Sequence, residues 1–205
     1  MRDDWYQHSE EDDDYSASLH QRTEELYRIP NMESDSNGLI EASVLILRDI
    51  VIFPRMIAPI FISPGSNQKA IEDAQGRFST MIALVQRDSE VEDPKPEDLL
   101  PIGLEVAVGR LLEIPDSNYS ALAQGRRRVE VVEIIQHKPF MRAKVRPIEE
   151  STEMDRTSDA LMRTVRDLFE RCVQLDRGLP EEAHLFSLNI SEPGWLADMI
   201  ATAIS

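Results

Sequence analysis

The chain has 205 residues and carries 38 acidic against 22 basic side chains, a formal net charge of −16. Its apolar fraction of 41% excludes a wholly disordered polymer. The strong acidity disfavours binding to duplex nucleic acid, which requires clustered Lys and Arg. The only cysteine, Cys172, cannot form an intramolecular disulfide, as is typical of a reducing compartment. Since no apolar run approaches the roughly 20 residues of a membrane span, we expect a cytoplasmic protein without membrane association.

The first 37 residues differ from the rest in charge. They contain eleven acidic side chains against three arginines and show no sustained apolar period. We therefore predict that residues 1–37 form an acidic, disordered leader. The run from Glu10 to Asp14 lacks the glycine and the alternating oxygen ligands of a calcium loop, so no metal site is expected there.

Residues 38–150 predict a β-rich domain of short runs rich in Val and Ile. One helix is predicted from Ser66, as its cap, to Gly76. Met141, Ala143 and Val145 alternate with charged neighbours, which indicates a half-buried strand of an antiparallel sheet or small barrel. The predicted strands cover residues 44–47, 50–53, 58–62, 81–85, 103–114, 118–123, 129–135 and 140–148.

Residues 151–205 change to a helical period and predict a helical bundle. A capping box at residues 152–155 begins the first helix. Further helices are predicted to begin near Pro180 and at residues 191–194. The first helix carries an apolar stripe that we expect to be buried, so that Cys172 would be a small core residue: Leu161, Val165, Leu168, Phe169 and Cys172.

Catalytic motifs are absent from the sequence. No glycine pattern fits a phosphate-binding GxxxxGK[ST] loop or a GxGxxG turn, and no GxSxG segment is present. The four histidines are not at metal-ligand spacing, and one cysteine excludes a CxxC zinc site. We therefore expect no enzyme activity, no cofactor and no metal in this chain.

Two segments are candidates for binding. Arg126, Arg127 and Arg128 form a basic cluster that fits either an anion or RNA contact, or a strand edge paired with nearby glutamates. The absence of stacking aromatics favours the second interpretation. The other segment, residues 50–62, is the most apolar one. We expect Ile52, Ile60 and Ile62 in its core and an exposed peptide contact at Met56 and Ile57.

Residues 44–62 closely resemble the opening of the N-terminal domain of the Lon protease family. The shared features are a leucine-rich strand, Leu-Arg-Asp at 47–49, a β-branched run, Phe-Pro at 53–54, and an apolar strand broken by proline. The resemblance covers about residues 39–205 because similar segments follow in the family's order, at residues 69–74, 84–88, 92–99, 102–107, 123–128 and 193–201.

The resemblance implies an α+β fold, in which a PUA-like β-barrel or antiparallel sheet with one inserted helix fills residues 38–150. A C-terminal α-helical bundle over residues 151–205 would lead toward an ATPase region. A Lon protease continues into an AAA+ ATPase that uses ATP and Mg²⁺ and into a Ser–Lys peptidase. The chain is therefore expected to be the non-catalytic N-terminal region alone.

The implied function is to recognise misfolded or degron-bearing proteins for ATP-dependent proteolysis and to help organise a homohexamer. The isolated region is expected to be a monomer or weak dimer. Contacts between subunits or domains are expected at Leu185, Phe186, Trp195 and Met199. The alternative is a free-standing PUA-like protein that binds RNA or a small ligand.

Overall fold

The structure is a computed structural model that describes residues 20–114, 118–150 and 155–204. Its strands are β1 (Ile40–Leu47), β2 (Ile57–Ile62), β3 (Met81–Val85), β4 (Ile102–Val108), β5 (Leu112–Ile114), β6 (Asn118–Gln136) and β7 (Arg142–Pro147). Its α-helices are α1 (residues 20–28), α2 (Ser66–Gly76), α3 (Arg156–Leu175), α4 (Glu181–Leu188) and α5 (Pro193–Ala203). The fold class is therefore α+β.

The strands form a mixed sheet in the order β2-β6-β4-β3-β1-β7, with β5 beside β6 and a further pairing of β6 with β7. The sequence predicted a β-barrel or an antiparallel sheet, and the observed sheet differs from both. β1 runs parallel to β3, with Val44 opposite Ile82. Among the described strands, β2 and β5 pair only with β6 and keep a free edge, whereas a closed barrel leaves no edge.

Strand β6 is continuous over 19 residues, although its sequence predicts two strands separated by a turn. Its first half pairs with β2 and β4, and its second half pairs with β4 and β7. A Cβ on Gly125 would lie 2.1 Å from the carbonyl oxygen of Phe53. The glycine therefore permits a close backbone contact within the strand rather than a turn.

Two hydrophobic clusters stabilise the sheet, and β3 contributes to both. Met81 and Ala83 belong to the cluster beneath α2, whereas Ile82 and Leu84 belong to the other. This division follows from the two-residue period of a strand. Burial is confirmed for two predicted sets of core residues, Ile52, Ile60 and Ile62, and Met141, Ala143 and Val145.

The segment predicted as a strand over residues 50–53 is not a strand, because the chain turns at Pro54 and Arg55. Arg55 has a φ of 66°, in the left-handed region that suits a tight turn. The α2 helix begins at Ser66 as predicted, but its cap is Gly65 and no side chain caps it.

The acidic leader lies partly outside the described residues, which begin at residue 20. From there, residues 20–28 form α1, and Leu26 is fully buried against Ala107 and Leu122. The prediction of disorder is therefore wrong for α1, because this helix packs on the sheet.

The C-terminal helices do not form the predicted bundle. They share a small buried cluster of Met162, Ile190 and Leu196. Asp155 caps α3 by accepting a hydrogen bond from the Ser158 amide at 2.6 Å, while the start of the predicted capping box lies outside the described residues.

Most of the predicted α3 stripe is exposed, including Leu161, Leu168 and Cys172. Of that stripe, Phe169 is buried. Burial of Cys172 is therefore a wrong prediction. The reason is that α4 and α5 cover the neighbouring face of α3, to which Met162 and Phe169 belong. Within the described part of the chain, no helix is both long and apolar enough to cross a membrane.

Candidate functional site

Arg127 is bound to a buried carboxylate. Its Nε donates to Oε2 of Glu105 at 2.6 Å, and the Glu105 side chain is fully buried. The other Glu105 oxygen accepts hydrogen bonds from the Thr80 hydroxyl and from the Met32 amide. Arg127 also donates to the Met32 carbonyl at 2.7 Å. A buried charge needs such partners, so this arginine anchors the segment after α1 to the sheet.

Arg126 is bound to the end of α1. Its Nη2 donates to the carbonyl oxygens of Leu26 at 2.8 Å and Ile29 at 3.2 Å. Carbonyls at the C-terminus of a helix lack partners within the helix and carry partial negative charge. Arg126 therefore acts as a C-terminal cap for α1 supplied by β6.

Arg128 is bound to α5. Its guanidinium donates to both carboxylate oxygens of Asp198, at 3.1 and 2.5 Å, and to Glu150. The hydrogen bonds from Arg128 to Asp198 are the main cause that raises the pKa of the guanidinium above its ordinary value, with Glu150 adding to the effect. Arg128 is therefore charged at any physiological pH.

The three arginines are thus engaged within the chain and do not form a free anion-binding surface. They were expected to pair with glutamates nearby in the sequence, but one of these, Glu130, pairs with Arg146. Their partners are instead Glu105, Glu150 and Asp198 and three backbone carbonyls. The free basic cluster on which the RNA-binding alternative depended is therefore absent.

Met56 and Ile57 are half-buried rather than exposed. Met56 packs against the main core, and its sulfur lies 3.8 Å from the Thr202 hydroxyl of α5. Ile57 packs against the cluster that contains Leu26 of α1. The exposure that we predicted for both side chains is wrong, because α5 and α1 lie against them. Their role as substrate contacts stays a prediction.

A cleft of about 640 Å³ lies at the free edge of β2. Its apolar lining includes Leu47, Ile50 and Phe61. Phe61 is 77% exposed, because it points outward from a strand in which Ala58, Ile60 and Ile62 point into the core. The cleft thus combines an exposed aromatic ring with an unpaired strand edge.

Charged side chains border the same cleft. The border contains three carboxylates, those of Asp49, Glu92 and Asp93. It also contains the guanidinium of Arg48, which donates to the Glu92 carbonyl at 3.0 Å. His137 completes this border. The border is acidic, and it favours a ligand that brings positive charge beside an apolar group.

The chain matches, over residues 41–205, the profile of the family described as the ATP-dependent protease La (LON) substrate-binding domain. It belongs to this Lon family. The Lon domain is 33% identical over 165 residues to Lon protease 2 of Herpetosiphon aurantiacus, a match to 80% of this chain and 20% of the relative. It is 39% identical over 160 residues to Lon protease of Desulfovibrio desulfuricans, covering 77% and 18%. The chain spans about a fifth of the length of these relatives.

A solved structure shares the fold of this Lon domain. The N-terminal domain of Mycobacterium avium complex Lon protease matches with a TM-score of 0.64 and 20% identity, over 78% of this chain and 80% of that one. The similarity supports the mixed α+β sheet described above.

The four predicted interface residues of the Lon domain fall into two groups. Leu185 and Phe186 on α4 are exposed, at 59% and 50%. Trp195 and Met199 on α5 pack against the small helical cluster. The Trp195 ring also lies 6.0 Å from Phe186, edge to face, and 4.5 Å beneath the Arg55 guanidinium. Arg55 in turn pairs with Glu192, so this side of Trp195 helps hold α5 to the sheet.

Phe61 was not among the residues predicted to bind a partner. Its exposure could have been predicted from the alternation of residues 57–62, where Pro59 and Phe61 share the face opposite the core residues. Proline at position 59 also indicates an edge strand, since it offers no amide hydrogen to a ladder. Among the described residues of the Lon domain, no group of three or more His, Cys, Asp or Glu could hold a metal ion.

Proposed function

We propose that this Lon domain binds unfolded segments of misfolded or degron-bearing proteins in the cleft beside β2. The observation that carries the proposal is Phe61, whose exposed ring lines a cleft together with other apolar side chains. An exposed aromatic next to apolar lining is typical of a surface that buries side chains of a partner. In a folded protein such side chains lie in the core, so the cleft discriminates in favour of unfolded chains.

The shape of the cleft suits an extended polypeptide. The free edge of β2 offers backbone groups beside Phe61, and an extended segment can pair with such an edge while its side chains enter pockets. The cleft is open to solvent, so we expect each contact to be weak. Weak contacts allow a captured chain to be released to the next part of the protease.

The acidic border adds a charge preference to the apolar one. Asp49, Glu92 and Asp93 favour segments in which apolar residues stand beside Lys or Arg. Because these carboxylates are exposed, their attraction is screened by salt and falls at high ionic strength.

The remaining activity belongs to the protease as a whole. In this proposal the captured protein passes to an ATPase that uses ATP and Mg²⁺ and to a serine peptidase, both outside this chain, in a cytoplasmic homohexamer. The domain itself needs no cofactor for capture. Leu185 and Phe186, exposed on α4, supply contacts that help organise the hexamer.

Fluorescence anisotropy tests the capture role directly. A reduced, carbamidomethylated and dye-labelled globular domain serves as the unfolded ligand. We expect Phe61→Ser to raise the Kd of this ligand about tenfold, because the substitution removes apolar contact worth about 1.5 kcal/mol. Phe78→Ser is the matched control, because Phe78 is 59% exposed and does not line the cleft. Equal affinities of both variants would contradict the proposal.

A further inference from the structure

Helix α1 is held on the sheet by one buried side chain. Leu26 is fully buried, and Ile29 packs beside it just after the helix. The other side chains of α1 are half-buried or exposed. Residues 20–28 are too few for a helix that is stable alone, which needs about 12–15 residues, so α1 depends on this contact. We call the sheet surface under α1 the α1 patch; it is formed by Ile57, Ala107, Leu122, Gln124 and Arg126.

The polar contacts around the α1 patch are directed at the end of a helix. Arg126 donates to the carbonyls of Leu26 and Ile29. A cation suits this end because its carbonyls lack partners within the helix and carry partial negative charge. An ion pair of Arg110 with Glu25, at 2.7 Å, adds a contact to the side chain before Leu26. Another helix that presents a carboxylate, a leucine and its C-terminal carbonyls offers the same groups.

Helix α1 does not satisfy every polar group of the patch. Gln124 lies between Ile57 and Ala107 in the sheet register and is 4% exposed. Neither its Oε1 nor the buried Nε of Arg126 forms a hydrogen bond with a described residue. Buried polar groups without partners weaken the contact that buries them. The patch therefore holds α1 loosely, and a helix of the same chemistry can replace it.

We propose that the α1 patch is a second protein-binding site, which α1 occupies as a replaceable internal ligand. The partner that fits it is an amphipathic helix of another protein whose C-terminal end lies on the patch. That helix carries a carboxylate directly before a leucine and an apolar residue three positions after it, as Glu25, Leu26 and Ile29 do in α1. The cleft beside β2 suits extended segments, so the two sites differ in the conformation that they bind.

Binding of a dye-labelled peptide tests the exchange of α1 for another helix. The peptide has the sequence of residues 20–34, and fluorescence anisotropy measures its affinity for the whole chain. Leu26→Glu places a carboxylate in the apolar contact and should release α1. We expect this variant to bind the peptide at least about tenfold more tightly than the wild type, in which docked α1 blocks the patch. Tyr27→Glu, at a 62% exposed position of α1, should behave as the wild type.

A second peptide tests which features the patch recognises. It is a helix of alanine and glutamine that carries only Glu, Leu and Ile, at the spacing of Glu25, Leu26 and Ile29. This peptide should also bind Leu26→Glu more tightly than the wild type, and exchange of its leucine for glutamate should abolish binding.

Two double variants locate the binding. Arg126→Gln added to Leu26→Glu should raise the Kd of both peptides about tenfold, because it removes charge-assisted hydrogen bonds to the helix end. Phe61→Ser added to Leu26→Glu should leave both affinities unchanged, since Phe61 lines the cleft beside β2. A failure of the cleft to bind unfolded chains is thereby distinguished from a failure of the α1 patch to bind helices.

The first contradicting result is equal affinity of the wild type and Leu26→Glu for the peptide of residues 20–34. The others are no binding by a chain whose α1 is released, and binding of that peptide but not of the alanine-based one. Hydrogen exchange of the Ile29 amide reports the release, since it donates to the Leu26 carbonyl at 3.2 Å in the docked state. If circular dichroism shows that Leu26→Glu unfolds the sheet, Leu26→Ala repeats the comparison. An α1 that stays docked in both variants would equally overturn the proposal.

Discussion

The Arg128 guanidinium of β6 binds both oxygens of the Asp198 carboxylate of α5, at 3.1 and 2.5 Å. The Asp198 side chain is 7% exposed and that of Arg128 is 30% exposed, so the pair is largely withdrawn from water. Together with the pairing of Arg55 and Glu192, it attaches the C-terminal helices to the sheet.

Asp198→Asn should lower the free energy of unfolding by about 2 kcal/mol. Breaking a fully buried ion pair costs more, but the partial exposure of Arg128 reduces the penalty. Urea denaturation measures the effect. Glu130→Gln, which removes an exposed pair with Arg146, serves as the control and should cost under about 1 kcal/mol. Similar small losses in both variants would contradict the role given to Arg128.

Gly125→Ala should destabilise the chain by about 1–3 kcal/mol. The added Cβ would lie 2.1 Å from the Phe53 carbonyl oxygen and 2.7 Å from the Leu104 side chain. The oxygen belongs to the backbone, so it cannot move away without shifting the chain. Gly76→Ala is the matched control, since no atom lies within 4 Å of its Cβ. Thermal unfolding of the two variants should differ clearly, and equal midpoints would refute the close contact.

Glu105→Gln should loosen the segment that follows α1. The amide group would present hydrogens to Arg127, Thr80 or Met32, which are all donors to the carboxylate. We expect hydrogen exchange of the Met32 amide to accelerate at least tenfold. Glu41→Gln, which alters an exposed partner of Arg142, should leave that exchange unchanged. An unaltered Met32 amide in Glu105→Gln would show that the segment is held by other contacts.

Asp155 gives α3 a pH-dependent contribution to stability. The backbone hydrogen bond from Ser158 is the main cause that lowers the pKa of Asp155 below 3.8. A lowered pKa in the folded state contributes stability above pH 3.8 that is lost as pH falls through the folded value. Asp155→Ala should therefore melt at a lower temperature than wild type at pH 7, and the difference should vanish in acid. A difference in melting temperature that persists at pH 2 would show that the ionised Asp155 carboxylate is not its cause.

Local patterns predicted several elements because their signals are local. The bounds of β3 match the prediction, and α2 occupies Ser66–Gly76 between its proline-glycine start and its glycine end. The alternation of Met141, Ala143 and Val145 identified the buried face of the strand around β7. Short-range periodicity was sufficient in these cases.

Long-range partners could not be predicted in the same way. Arg128 and Asp198 are 70 residues apart, and nothing in the sequence near either one indicates the other. The parallel pairing of β1 with β3 likewise depends on how the intervening β2 and α2 pack. The α3 stripe was assigned correctly to one face of a helix, but its exposure depends on where α4 and α5 dock.

The proposed binding of unfolded chains in the cleft beside β2 is tested most directly by locating where such a chain contacts the domain. A reduced, carbamidomethylated globular domain carrying a nitroxide spin label is added to the isotope-labelled Lon domain, and amide signal loss is measured by NMR. We predict that the signals of Phe61, Ile50 and His137 broaden most, and that Phe61→Ser removes the broadening. Broadening that spares the β2 cleft, or that persists in Phe61→Ser, would contradict the account.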